Sequence, residues 1–199
     1  MDNKLLATID IGSHSCILLI AAFEKISDEA KETLVPKLQK VEVCRLGEDI
    51  YEHGAITPER IQELSRIMVK FRQDVHALGA SLKEVLMTEA MRRAENPDEV
   101  IEAVEKAVRV KPRVITGEEE AKLTFRSVKE WHDEDIVTID IGGGSTELSN
   151  GQNSISIPVG ALKMFKQMGP IPGPEYKKFT KEIFKEVSFK GLTKHQVYL

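Results

Sequence analysis

The sequence predicts an α/β fold in which amphipathic helices cover a mixed β-sheet, followed by the start of a second, similar domain. Two observations carry this reading. Short β-type runs alternate with segments of helical periodicity along the chain. The stretch Thr8-Ile9-Asp10-Ile11-Gly12 also recurs unchanged at Thr138-Ile139-Asp140-Ile141-Gly142, so the chain begins the same design twice. Its 199 residues, 41% hydrophobic and 30% charged, suffice for one large or two small cores. A net charge of -4 gives no general electrostatic case for nucleic acid or an anionic membrane, so any anionic ligand must be attracted locally.

The elements follow in order. Leu5–Ile11 and Cys16–Phe23 are β-type runs joined by a tight polar turn, a hairpin signal. Val41–Leu46 reads as a third strand. Thr57-Pro58-Glu59 opens a helix, with Thr57 as N-cap and proline at the first helical position. Ile61, Leu64, Met68, Phe71, Val75 and Leu78 continue it at helical spacing until Gly79. Val85–Thr88 reads as a short strand, with Arg92 and Arg93 carried into a loop beyond it. Asn96 and Glu99 fit a capping box at the start of the next helix. Arg113–Thr116 is strand-like, and Gly117 leads into a helix reaching about Trp131.

The second round comprises a strand over Ile136–Ile141, a turn over Gly142–Gly144, and strands at Thr146–Ser149 and Ile155–Ile157. A helix over Ala161–Met168, a Gly/Pro connector over Gly169–Pro174 and a helix over Glu175–Val187 come next. Gln196–Leu199 looks like a strand beginning. The expected domains are therefore 1–130 and 131–199, the second truncated. Cys16 and Cys44 lie in apolar runs and are expected as buried free thiols. The N-terminus reads as a strand rather than a signal peptide, and the longest apolar run is too short to cross a bilayer. The protein is thus expected to be soluble and cytoplasmic, with no membrane or nucleic-acid partner.

A strand ending in Asp-x-Gly that turns at once into another strand aims its aspartate and several backbone N–H groups at the sheet's edge. Glycine permits close approach, and successive N–H groups form an anion nest. Ser13, Ser15, Ser145 and Thr146 add hydroxyl donors. Because an aspartate repels phosphate, such an arrangement calls for a bridging Mg²⁺ or a polarised water. One glycine turn between strands is ordinary, whereas two sharing five identical residues are not. His14, His53, His76, His132 and His195 show no metal-ligand spacing.

Four segments occur in order: Asp10-Ile11-Gly12-Ser13-His14-Ser15, Thr88-Glu89-Ala90-Met91-Arg92-Arg93-Ala94-Glu95-Asn96, Ile115-Thr116-Gly117-Glu118-Glu119-Glu120-Ala121, and Asp140-Ile141-Gly142-Gly143-Gly144-Ser145-Thr146-Glu147-Leu148. Together they resemble the exopolyphosphatase/guanosine pentaphosphate phosphatase family, in the actin-like, sugar-kinase and Hsp70 superfamily. The resemblance implies two ribonuclease-H-like domains with the active site in the cleft between them. It implies Mg²⁺-dependent hydrolysis of a terminal phosphoanhydride in polyphosphate or guanosine pentaphosphate. By motif, Glu120 would be the catalytic base, and Asp140, Glu147 and Asp10 would be metal-associated. Gly12, Ser13, His14 and Ser15 would form the first phosphate loop, Gly142, Gly143, Gly144 and Ser145 the second, and Arg92 would bind phosphate. The residues do not reveal oligomeric state, and the resemblance leaves a homodimer open.

The sequence departs from the family pattern at three places. The loop usually written Ser-Asn-Ser-x-Arg-Leu is Ser13-His14-Ser15-Cys16-Ile17-Leu18, so His14 replaces an asparagine and Ile17 an arginine. The usual Thr-Ser-Ala is Thr88-Glu89-Ala90, with a carboxylate where a hydroxyl is expected. These departures keep a non-catalytic phosphate- or alarmone-binding module as an alternative. An ATP-dependent kinase or ATPase of the same superfamily is another, while a P-loop enzyme lacks its motif here.

Overall fold

The computed structural model describes residues 4–25, 32–132, 135–169, 173, 174, 177, 178, 181 and 196–198. The chain divides into two compact units, Met1–Val114 and Ile115–Leu199. In the first, β1 (Leu6–Ile11), β2 (Ser15–Lys25) and β3 (Glu32–Val43) precede α1 (Leu46–His53) and α2 (Pro58–Ala77). Then come β4 (Ser81–Met87), α3 (Glu89–Arg93), α4 (Pro97–Val108) and β5 (Arg113–Val114). The strands lie in the order β3-β2-β1-β4-β5. β1–β2 and β2–β3 are antiparallel, whereas β1–β4 and β4–β5 are parallel. This is the expected mixed sheet with helices.

The core of this unit is built as the periodicity predicts. Ile9 and Ile11 of β1 and Leu18 and Ile20 of β2 are buried, as are Leu64, Met68 and Phe71 of α2 and Val100 and Val104 of α4. Each such side chain contributes on the order of 1.5–3 kcal/mol when taken from water. Cys16 and Cys44 are free and buried, as expected. The Cys44 thiol donates to the Gly12 carbonyl at 3.5 Å.

Three local expectations are corrected. The third strand is not Val41–Leu46: it runs from Glu32 to Val43, and Leu46 opens α1 instead. Its earlier half was hidden by Pro36, which an edge strand tolerates and which sits opposite Ala21 where the register shifts. Arg45, at φ 53°, turns the chain from strand into helix. The segment carrying Arg92 and Arg93 is a five-residue helix, α3, rather than a loop. Asn96 does not form a capping box. Its amide instead clamps the Ile56 backbone, accepting from Ile56 N at 2.9 Å and donating to Ile56 O at 3.0 Å. Glu99 takes a further bond from Asn96 Nδ2 at 3.1 Å.

The second unit holds α5 (Gly117–Lys129), β6 (Ile136–Ile141), β7 (Thr146–Ser149), β8 (Ser154–Ile157), α6 (Ala161–Met168) and β9 (Gln196–Tyr198). Its strands lie in the order β8-β7-β6-β9, antiparallel except for the parallel β6–β9 pair. It thus repeats the first four positions of the other sheet, around Val137, Leu148 and Ile157. Sequence spacing grouped the helix after Gly117 with residues 1–130, but the compact units divide after Val114 because α5 packs on β6, β7 and β8. The helix expected over Glu175–Val187 falls largely outside the described residues. Among the described residues no helix is long and apolar enough to cross a membrane.

Asp49 fastens α1 to the start of α2. Its Oδ2 accepts from Thr57 N at 2.9 Å and Thr57 Oγ1 at 2.7 Å, and its Oδ1 from Arg60 Nε at 3.3 Å. Burial pushes its pKa up, but the Thr57 bonds and the Arg60 charge outweigh this and hold it below the ordinary aspartate range. A depressed carboxyl stabilises the fold above its unfolded pKa and loses that contribution as pH falls through the folded value. Asp49→Asn is therefore expected to cost about 1–3 kcal/mol at neutral pH, the scale for impairing a buried charged hydrogen-bond network. Thermal unfolding across a pH series checks this: the gap to the wild type should close once the pH drops below the usual aspartate range.

Candidate active site

The doubled motif folds into the same turn twice. Gly12 N–H donates to the Ser15 carbonyl at 2.9 Å, and Gly142 N–H to the Ser145 carbonyl at 2.9 Å. A Cβ on either glycine would lie 3.3 Å from that same carbonyl oxygen, a tight fit. In each unit the start of a helix then takes the loop carbonyls. Gly47 N donates to Ser13 O at 2.7 Å, and Cys44 N and Arg45 N to His14 O at 2.9 and 3.0 Å. In the second unit Ala161 N donates to Gly142 O at 2.9 Å and Leu162 N to Gly143 O at 2.8 Å. The first N–H groups of a helix lack intrahelical acceptors, so α1 and α6 are satisfied by the loops they hold. With these carbonyls drawn toward the helices, the amide side of each loop is the one suited to an anion.

The second hairpin carries the acidic chemistry. Asp140 on β6 stands directly opposite Glu147 on β7. Opposed residues of an antiparallel pair project from one face with Cβ atoms about 4.5–5.5 Å apart, so two carboxylates meet where like charges destabilise. Glu147 is buried, 2% exposed, and its Oε1 accepts from Ser156 Oγ at 2.7 Å. Asp140 Oδ2 accepts from Thr124 Oγ1 at 3.1 Å.

These two hydroxyls also locate α5. Thr116 caps the helix by accepting from Glu119 N at 3.2 Å. At Gly117 the backbone presses so close to β8 that a Cβ would fall 2.2 Å from the Ser156 Cβ. Thr124 touches Asp140 two turns later. Glu120 lies between these two contacts, one helical turn before Thr124, so it shares the α5 face that meets the Asp140–Glu147 pair. The structure thus gathers Glu120, Asp140, Glu147 and the Gly142–Ser145 loop in one unit. Sequence reasoning missed Thr124 and Ser156; the i+4 spacing from Glu120 was the one signal for the former.

The first hairpin differs. Asp10 is exposed and faces Ile17 across the ladder, where the second copy has Glu147. Ser13 is buried, and its hydroxyl donates to Glu89 Oε2 at 2.9 Å. His14 is exposed and Ser15 half-buried. Arg92 sits half-buried on α3, whose start is tied to β1 by Thr88 N donating to Ile11 O at 3.2 Å. Among the described residues no three His, Cys, Asp or Glu side chains gather as a metal cluster. Asp140 and Glu147 remain as a pair of hard oxygen donors on one face of the β6–β7 ladder.

The profile of the Ppx/GppA phosphatase family matches residues 25–197. A bifunctional 3-dehydroquinate synthase/phosphatase of Fusobacterium nucleatum is 33% identical over 175 residues, covering 82% of this chain and 26% of the relative. Exopolyphosphatase 1 of Mycobacterium tuberculosis is 28% identical over 85% of this chain and 50% of its own. The Aquifex aeolicus Ppx/GppA family member superposes with a TM-score of 0.72 at 27% identity, over 92% of this chain and 61% of that one. The chain therefore spans between a quarter and about three fifths of the relatives it matches.

Gly160 offers a direct test of the second loop. A Cβ there would lie 2.4 Å from Gly142 O and 2.5 Å from Gly143 C, both backbone atoms that cannot swing aside. Gly160→Ala should lower stability by about 1–3 kcal/mol, the usual cost of overpacking. Denaturant unfolding checks this.

Proposed function

The chain belongs to the Ppx/GppA phosphatase family, and we propose that it hydrolyses the terminal phosphoanhydride of inorganic polyphosphate or guanosine pentaphosphate with Mg²⁺ as cofactor. The observation that carries this is the Asp140–Glu147 pair in direct cross-strand register beneath the α5 face that bears Glu120. Exopolyphosphatases among the relatives make polyphosphate the first substrate to test.

The donor set fits the cofactor. Mg²⁺ favours one or two carboxylates and completes its shell with water and substrate oxygens, so two opposed carboxylates suit it better than a larger protein cage. When bound, the ion would neutralise the Asp140–Glu147 repulsion and the charge of the phosphates. The chain's own residues do the rest. Ser156 and Thr124 each donate to one carboxylate and fix its direction. The amide side of the Gly142–Ser145 loop receives phosphate oxygens. Glu120, ionised, accepts a proton from the attacking water and orients it in line with the scissile bond. The bond from water oxygen to phosphorus forms as the bridging P–O bond breaks, and the shortened chain departs with the bridging oxygen.

Phosphate release from polyphosphate and from guanosine pentaphosphate, measured with Mg²⁺, tests this. Replacing Glu120 by Gln should slow release by roughly 10²–10⁴, the contribution of a positioned general base. Equal release by wild type and Glu120→Gln would remove Glu120 from the chemistry, and binding without turnover by the wild type would favour a sensor.

A further inference from the structure

Glu89 is 5% exposed, yet it is a carboxylate beside a loop whose expected ligand is an anion. A charge taken from water needs partners, and Glu89 has two. Ser13 Oγ donates to its Oε2 at 2.9 Å, and Arg93 Nη1 donates to its Oε1 at 3.1 Å. Arg93 is itself held in place, its guanidinium carbon 4.9 Å from the centre of the Tyr51 ring and its Nη1 3.1 Å from the Tyr51 hydroxyl. Burial favours losing the Arg93 charge, but the Glu89 bond and charge more than offset this. Burial and the nearby Glu89 raise the Tyr51 hydroxyl above its ordinary range. The first loop, α1 and α3 are thus joined by one charged cluster.

This arrangement changes what the first loop can offer. A serine hydroxyl has a single proton to donate. While Ser13 gives it to Glu89, the hydroxyl can meet a further oxygen only as an acceptor, which a phosphate oxygen does not satisfy. The Arg93 guanidinium is likewise engaged. A phosphate chain reaching this loop finds a carboxylate held behind the Ser13 hydroxyl rather than a donor in it.

We propose that Glu89 is a specificity-determining residue of the first loop, a resident carboxylate that holds the Ser13 hydroxyl and the Arg93 guanidinium and thereby disfavours long, highly charged phosphate chains there. The inference rests on the phosphate-binding reading above. Glu89 also packs α3 against the loop, and a purely packing role would make ligand affinity insensitive to its charge.

The test is calorimetric binding of tripolyphosphate and long-chain polyphosphate to the wild type, Glu89→Gln and Glu89→Ser, with folding checked by thermal melts. Glutamine keeps an oxygen for Ser13 while removing the charge; serine removes the carboxylate altogether, and either folded variant decides. The long chain should bind about tenfold more tightly once the like charge is gone, with a smaller gain for tripolyphosphate. Unchanged or weaker binding by the folded variants, with the wild type binding, would overturn this inference and leave the proposed hydrolase intact. Absence of binding by all three proteins would overturn both.

Discussion

Two carboxylates set opposite each other on neighbouring strands are the constraint around which the second unit is organised. The β6–β7 register puts Asp140 and Glu147 on one face, a placement that costs free energy unless something neutralises it. Ser156 from β8 and Thr124 from α5 each supply a hydroxyl to one carboxylate, and neither supplies a charge. Hydroxyls direct a carboxylate without supplying a charge, which accords with the divalent cation proposed for the pair. The same two residues bring α5 onto the sheet, aided by the missing side chain at Gly117. Directing the two carboxylates and seating α5 on the sheet are therefore parts of one arrangement.

The duplicated motif shows how one backbone solution serves two ends. Both turns close through the same glycine-to-serine bond at 2.9 Å, and both give up carbonyls to a following helix. Their side chains have diverged at the position that matters most. Opposite Asp140 stands Glu147; opposite Asp10 stands Ile17, which neither repels the aspartate nor pairs with it. The first loop instead directs its Ser13 hydroxyl to Glu89. The two copies are alike in backbone and unlike in charge.

Much of this was legible in the residues, for physical reasons that also mark the limits. The hairpins were readable because a β-branched run ending in Asp-x-Gly has few other ways to fold. The α2 helix was readable from its proline start and apolar spacing, and Thr57 does cap it by accepting from Arg60 N at 3.4 Å. The helices α1 and α3, of eight and five residues, were not read from the sequence, too short for a period to stand out between their neighbours. Strand β3 was obscured by Pro36, which only its edge position permits. Within the site, Asp140, Glu147 and Glu120 announced themselves by motif. Ser13 and Glu89 are 76 residues apart, and nothing local in either segment foretells their bond. Thr124 and Ser156 were equally silent, since a serine or threonine looks the same whether it faces solvent or a carboxylate.

Thermal unfolding during a Mg²⁺ titration, run on the wild type and on Glu147→Gln, bears most directly on the carboxylate pair as a cation site. A ligand at about a hundredfold its Kd stabilises the state it binds by roughly 2.7 kcal/mol, which a melt resolves. The wild type should gain stability with Mg²⁺. Glu147→Gln, with an oxygen kept for Ser156, should gain little from the ion. An equal Mg²⁺-dependent rise in both proteins would contradict the pair's role.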